Sequence, residues 1–292
     1  MPLFDTEFLK KLEYLSLVSR RLFRGSLLAQ RRTMQTGGGI EFADHREYSR
    51  GDDFRHLDWN VLARHGQLLL KRFQEEEDLH VYLLLDCSQS MAFGTPPKFD
   101  LARQVVAALA YIALADLDRV AVIAFADDII ADFPLTRGKD RILTLLKFLE
   151  GLEVQGEATD LGRVVQAFTQ RSQRRGLAVV VSDLFDPHGY ERGFDQLRYR
   201  NYELHAVQLH DRLEADPSLL GELELVDIES DSSQKVTITE NALKKYRALF
   251  EEFQESLRKY SRKYGVGLTQ TRCEMPFDEL ILKMMRASGA VG

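Results

Sequence analysis

With 292 residues, 45% of them hydrophobic and 29% charged, the chain can bury a sizeable core, and its composition excludes disordered and fibrous classes. A formal net charge of −6 supplies no overall basic field, which argues against binding driven by phosphate neutralisation. Cys87 and Cys273 are too few for a disulfide scaffold or a thiolate zinc site and are expected to be free thiols in a reducing compartment.

Residues 3–32 place Leu9, Leu12, Leu15 and Leu22 near helical spacing, with Lys10, Lys11, Arg20, Arg21, Arg24, Arg31 and Arg32 on the other faces. This predicts one or two amphipathic helices whose basic side is a solvated face rather than a nucleic-acid surface. Asp5, Glu7 and Glu13 interrupt the apolar residues, so the segment does not read as a secretory leader. The longest apolar run, Val105 to Ala115, is about half of the roughly 20 residues that a membrane span requires, and a cytoplasmic protein is expected. Gly37 to Gly39 read as a flexible hinge, and Glu41 to Arg64 alternates acids and bases densely enough to read as a structured loop region.

From Leu79 the signals become regular. LHVYLLLD is a continuous apolar run ending in a carboxylate, as in a strand buried on both faces of a parallel sheet. A helix over 98–117 follows, then a buried strand from Arg119 to Asp127 and the short strand IIADFPL. The connection between these two strands is too short for a crossover, so the second is expected to be antiparallel. Helices near 139–150 and 161–174 precede the strand Leu177 to Asp183, and a helix near 190–200 precedes the strand Glu203 to Asp211. This alternation predicts a doubly wound, mostly parallel α/β sheet with one antiparallel edge strand. Period-two patterns around Asp231 to Ser233 predict an inserted β-hairpin at about 220–240. Leu243, Tyr246, Phe250, Phe253, Leu257, Tyr260 and Tyr264 then predict a long helix, with Asn241 as N-cap and Gly265 as C-cap. VGLTQTRC closes the sheet, and a last helix opens at Pro276.

Ligands of open α/β sheets gather at the carboxyl ends of the strands. There the sequence offers Asp86, Ser88 and Ser90 in one tight loop, Thr159 ahead of a helix, and Asp183 at the end of a further strand. Singly these residues read as caps and turn formers. Jointly, two carboxylates and three hydroxyls form a hard oxygen set suited to Mg²⁺ or Mn²⁺, with a position left for an acidic side chain from another protein. The competing reading is a Mg²⁺-dependent phosphohydrolase using Asp86. Against it, Ser88 stands where such chemistry commonly uses a second carboxylate, and no phosphate-loop, dinucleotide or nucleophile-elbow motif is present.

The order Asp86-Cys87-Ser88-Gln89-Ser90, Thr159, Asp183 resembles the metal-ion-dependent adhesion site (MIDAS) of von Willebrand factor A-like (vWA-like) domains. The stretch from Gly37 through GGGIEFADHREYSRGDDFRHLDWNVLAR to DCSQSM resembles the domain of unknown function 58 family. That resemblance implies a vWA-like, Rossmann-like domain over 79–292, preceded by an N-terminal helical extension and signature segment over 1–78. It also implies a non-enzymatic protein-interaction module working with a MoxR-type AAA+ ATPase in the assembly or maturation of other proteins. Many relatives carry membrane spans, which are not carried over. Within the signature segment, Arg46, Asp52, Asp53, Arg55, Asp58 and Arg64 are expected mainly to pair internally rather than to bind a partner, and Trp59 to bury a large apolar surface.

Overall fold

The computed structural model describes residues 3–23, 41–74, 79–156, 159–171, 174–218, 220–226 and 233–286. Helix α1 (Thr6–Phe23) is capped by Asp5, whose Oδ1 accepts the Phe8 N–H at 2.8 Å. Its Phe8, Leu12 and Leu15 join the main core, burying the stripe that the spacing predicts. The remainder of the predicted basic helices, and the Gly37 to Gly39 hinge, lie outside the described residues.

Glu41 to Arg64 is more regular than the loop region expected from sequence. Strand β1 (Glu41–Glu47) pairs antiparallel with β2 (Leu69–Gln74), and helix α2 (Trp59–His65) lies between them. The dense charges that obscure this pattern are largely caps and ion pairs of the local structure.

The main sheet has six strands in the order β10-β7-β6-β3-β4-β5, comprising β3 (His80–Asp86), β4 (Arg119–Phe125), β5 (Ile129–Arg137), β6 (Leu177–Ser182), β7 (Glu203–His210) and β10 (Gly267–Arg272). All neighbours are parallel except β5, the antiparallel edge. Helices cover both faces, which is why β3 is buried along its whole length. Val81, Leu83 and Leu85 face the core shared with α1, α3 (Lys98–Ala115), α4 (Ile142–Glu150) and α9 (Phe277–Met285). Tyr82 and Leu84 point the other way, toward α5 (Leu161–Arg171), α6 (Glu191–Tyr199) and α8 (Glu240–Tyr264). The predicted hairpin is present as β8 (Gly221–Val226) paired with β9 (Ser233–Ile238). Among the described residues no helix is long and apolar enough to cross a membrane.

Two boundaries differ from expectation. The N-cap of α8 is Thr239, whose hydroxyl accepts the Ala242 N–H, so Asn241 falls inside the first turn. Thr239 has the extended backbone that a cap requires, and its side chain reaches the third helical N–H. Pro276 is the N-cap of α9 rather than a residue of its first turn. Gly265 ends α8 in the left-handed conformation, as expected.

Candidate functional site

The chain enters this sheet at β3, runs outward to β4 and β5, and then crosses to β6 on the other side of β3. The carboxyl ends of β3 and β6 therefore flank the point where the winding reverses, and a crevice for a ligand forms at such a point. Asp86 closes β3 and Asp183 follows the last residue of β6, so two carboxylates arrive on neighbouring strands.

Asp86 is wholly buried. Its Oδ1 accepts the Ser88 N–H at 2.9 Å, and its Oδ2 accepts the Ser182 hydroxyl at 2.5 Å. Burial first, and then the charge of Asp183, push the Asp86 carboxyl up to about 7, whereas the Ser182 and Ser88 hydrogen bonds pull it down. A cation at this rim would relieve both upward pressures. The hydroxyls of Ser88 and Ser90 lie 3.0 Å apart, and Thr159 is buried immediately ahead of α5. Backbone hydrogen bonds tie the loops together: Gln155 N–H donates to Cys87 O at 2.7 Å, and Asp160 N–H donates to Ala126 O at 3.2 Å. Asp186, which sequence reading passed over, accepts the Leu161 N–H at 2.8 Å and so links the loop after β6 to the start of α5.

Two further residues escaped sequence reading. Lys98, the first residue of α3, has no exposed side-chain surface and extends its Nζ to Asp183 Oδ2 at 2.7 Å and to Glu214 Oε1 at 2.5 Å. Burial opposes its charge, but the two carboxylates outweigh burial and raise its pKa. Glu214 lies in α7 (Arg212–Ala215), where its Oε2 also accepts the Asp211 N–H at 2.7 Å in a capping box. The available signal was a lysine at the N-terminus of a mostly apolar helix, where the helix dipole disfavours a cation and a carboxylate is needed to hold it.

The donors are hard oxygens, and among the described residues no three His, Cys, Asp or Glu side chains converge as a metal cluster. Hard oxygens of this kind suit an oxygen-preferring cation rather than Zn²⁺. Asp86, Ser88, Ser90 and Thr159 would be the ligating side chains. Asp183 would enter less directly, since its Oδ2 is already held by the Lys98 ammonium at 2.7 Å. Neither cysteine belongs to the donor set. Both are buried free thiols, each pushed up to about 12 chiefly by burial. A cavity of about 370 Å³ lined by Tyr82, Ile129, Phe133, Phe168 and Arg171 shares no residue with the rim.

The signature charges pair within their own segment. Arg46 Nη2 meets Asp52 Oδ1 at 2.8 Å, and Arg55 Nη2 meets Asp53 Oδ2 at 2.6 Å. Asp58 caps α2 and meets His45 Nε2 at 2.9 Å, and the His45 hydrogen bond leads the causes that hold its carboxyl down to about 2. Arg64 is exposed in the last turn of α2. Trp59 departs from expectation: it is 62% exposed, because as the first residue of α2 its side chain turns outward rather than into a core.

The family described as "Protein of unknown function DUF58" matches residues 44–259. The chain belongs to that family. Uncharacterized proteins of Mycobacterium bovis and Mycobacterium tuberculosis are 26% identical to it over 238 residues, covering 80% of this chain and 75% of theirs. Among solved structures, the conserved hypothetical protein BatB of Bacteroides thetaiotaomicron is similar with a TM-score of 0.46 and 14% identity, covering 73% of this chain and 98% of that one. An aerotolerance-related membrane protein of Bacteroides fragilis has a TM-score of 0.45 and 16% identity over 73% of this chain and 100% of its own. A von Willebrand factor type A protein of Catenulispora acidiphila has a TM-score of 0.40 and 14% identity over 75% of this chain and 44% of its own.

Proposed function

We propose that this protein is a non-enzymatic, metal-dependent adaptor of MIDAS type. Asp86, Ser88, Ser90 and Thr159 hold Mg²⁺ or Mn²⁺, Asp183 supplies outer charge, and an acidic side chain of a partner completes the shell. The observation that supports this reading is the buried carboxylate pair at the β3–β6 crevice, with Asp86 pushed up by burial and by Asp183. When bound, the ion supplies a Lewis-acidic anchor for an external carboxylate. The chain's own contribution is to orient the oxygens through Ser182 and the loop hydrogen bonds and to shield them from water. In this reading the partner is a MoxR-type AAA+ ATPase, the protein acts in the assembly or maturation of other proteins, and its location is cytoplasmic.

The test has two parts. Calorimetry with MgCl₂ should give saturable binding to the parent and none to Asp86→Ala, with both variants equally folded by circular dichroism. Equal binding by the two would overturn the metal site. Co-precipitation of a MoxR-type ATPase should be lost in chelator, and no enrichment with or without chelator would reject that partner. Phosphatase turnover that disappears in Asp86→Ala would instead favour the hydrolase alternative.

A further inference from the structure

Asp86 accepts hydrogen bonds only from neutral donors, the Ser88 N–H and the Ser182 hydroxyl, whereas Asp183 is already committed to a cation. The Oδ1 of Asp183 takes the Phe185 N–H, and its Oδ2 takes the Lys98 ammonium at 2.7 Å. That ammonium is fully enclosed. Glu214 closes it on one side at 2.5 Å, and the Phe185 ring centroid lies 5.6 Å away. Its position at the first residue of α3 is unfavourable for a cation, since the helix dipole is positive there. Desolvating an ammonium is expensive, and only close, well-directed anionic partners hold it in a protein interior. Two carboxylates from separate segments, the loop after β6 and helix α7, are spent on this one lysine.

The arrangement sets two cations in competition for one carboxylate. Asp86, Asp183 and Glu214 bring three carboxyl groups to the rim, and Lys98 already pairs with two of them. We propose that Lys98 is a resident counter-cation of the rim, which withholds Asp183 from an incoming divalent ion. It thereby keeps the ion weakly bound until an acidic partner adds its own charge. Metal and partner are then acquired together: the free adaptor holds the ion loosely, and docking of the external carboxylate supplies what Lys98 has taken from Asp183. Glu214 serves as the second anchor that keeps the ammonium in place. This inference rests on the metal-binding reading, and the experiment separates the two.

Calorimetric titration with MnCl₂ is made on the full chain, on Lys98→Met, on the double variant Lys98→Met/Glu214→Gln and on Asp86→Ala. The double variant removes the ammonium together with one of its counter-charges, so it remains informative if the single variant fails to fold. Both lysine variants should bind Mn²⁺ at least tenfold more tightly than the parent and show a larger Mn²⁺-induced rise in melting temperature, whereas Asp86→Ala should not bind. A merely structural role for Lys98 could weaken binding but not tighten it. Equal or weaker binding in both lysine variants, with the parent binding and Asp86→Ala silent, would overturn the role of Lys98 and leave the metal site standing. Binding undiminished in Asp86→Ala, or absent from all four proteins, would overturn the metal reading and this inference with it.

Discussion

Lys98→Met in metal-free protein is a direct probe of how the rim is held together. The lysine side chain is 0% exposed, and its partners Asp183 and Glu214 are 3% and 15% exposed, so little water is available to replace the lost ammonium. Removing one member of a buried ion pair costs about 3–5 kcal/mol, because the remaining charge is left uncompensated. Methionine refills much of the volume, so the lower value is the better expectation, and about 3 kcal/mol corresponds to a fall of roughly 6–12 °C in melting temperature for a domain of this size. The pH dependence has a definite sign. Without Lys98 the Glu214 carboxyl, already raised by burial, loses the ammonium that pulls it down and titrates further above its unfolded value. The folded state then holds more protons than the unfolded state, and stability falls as pH rises. The deficit should therefore be larger at pH 8 than at pH 5, and Lys98→Met/Glu214→Gln should recover part of it. Urea unfolding in EDTA at the two pH values measures it. A loss under about 1 kcal/mol at pH 8, or one undiminished at pH 5, would refute the argument that these carboxylates depend on the ammonium.

Two other expectations concern the sheet. A Cβ on Gly176 would stand 2.0 Å from the His80 carbonyl oxygen, a backbone atom, so Gly176→Ala should shift the start of β6 and destabilise the fold by about 2 kcal/mol or more in chemical denaturation. A variant as stable as the parent would show that the β3–β6 approach is looser than the structure indicates. His205 donates to or accepts from Thr269 Oγ1 at 2.9 Å, and burial lowers its pKa to about 4. Its folded form thus holds fewer protons than its unfolded form between pH 6.5 and 4, and the stability present above that window is lost as pH falls through it. The contribution is up to about 3 kcal/mol. The His205→Gln variant should show a shallower decline than the parent over this range, and identical slopes would sink the assignment.

Much of the architecture was legible because burial on two faces writes itself into composition. The runs ending at Asp86 and near Asp183 are uniformly apolar for the reason that parallel strands are covered by helices on both sides. The short turn at Asp127 and Asp128 allows only an antiparallel return, and β5 is antiparallel. The signature segment was less legible, since its charges mask β1 and α2, and Trp59 gave no indication that it faces outward.

From Leu79 onward the sequence by itself determined which segments are the main strands and helices, and which oxygen-bearing residues stand at strand ends, because periodicity and turn chemistry are local. Only the tertiary structure decided that β6 lies against β3, which brings Ser182 within hydrogen-bonding distance of Asp86, and that Lys98 meets Glu214 across 116 positions of chain. Strand order and ion pairing are set by how distant segments pack around a common core. No local pattern encodes them, and the charge balance at the rim follows from that packing.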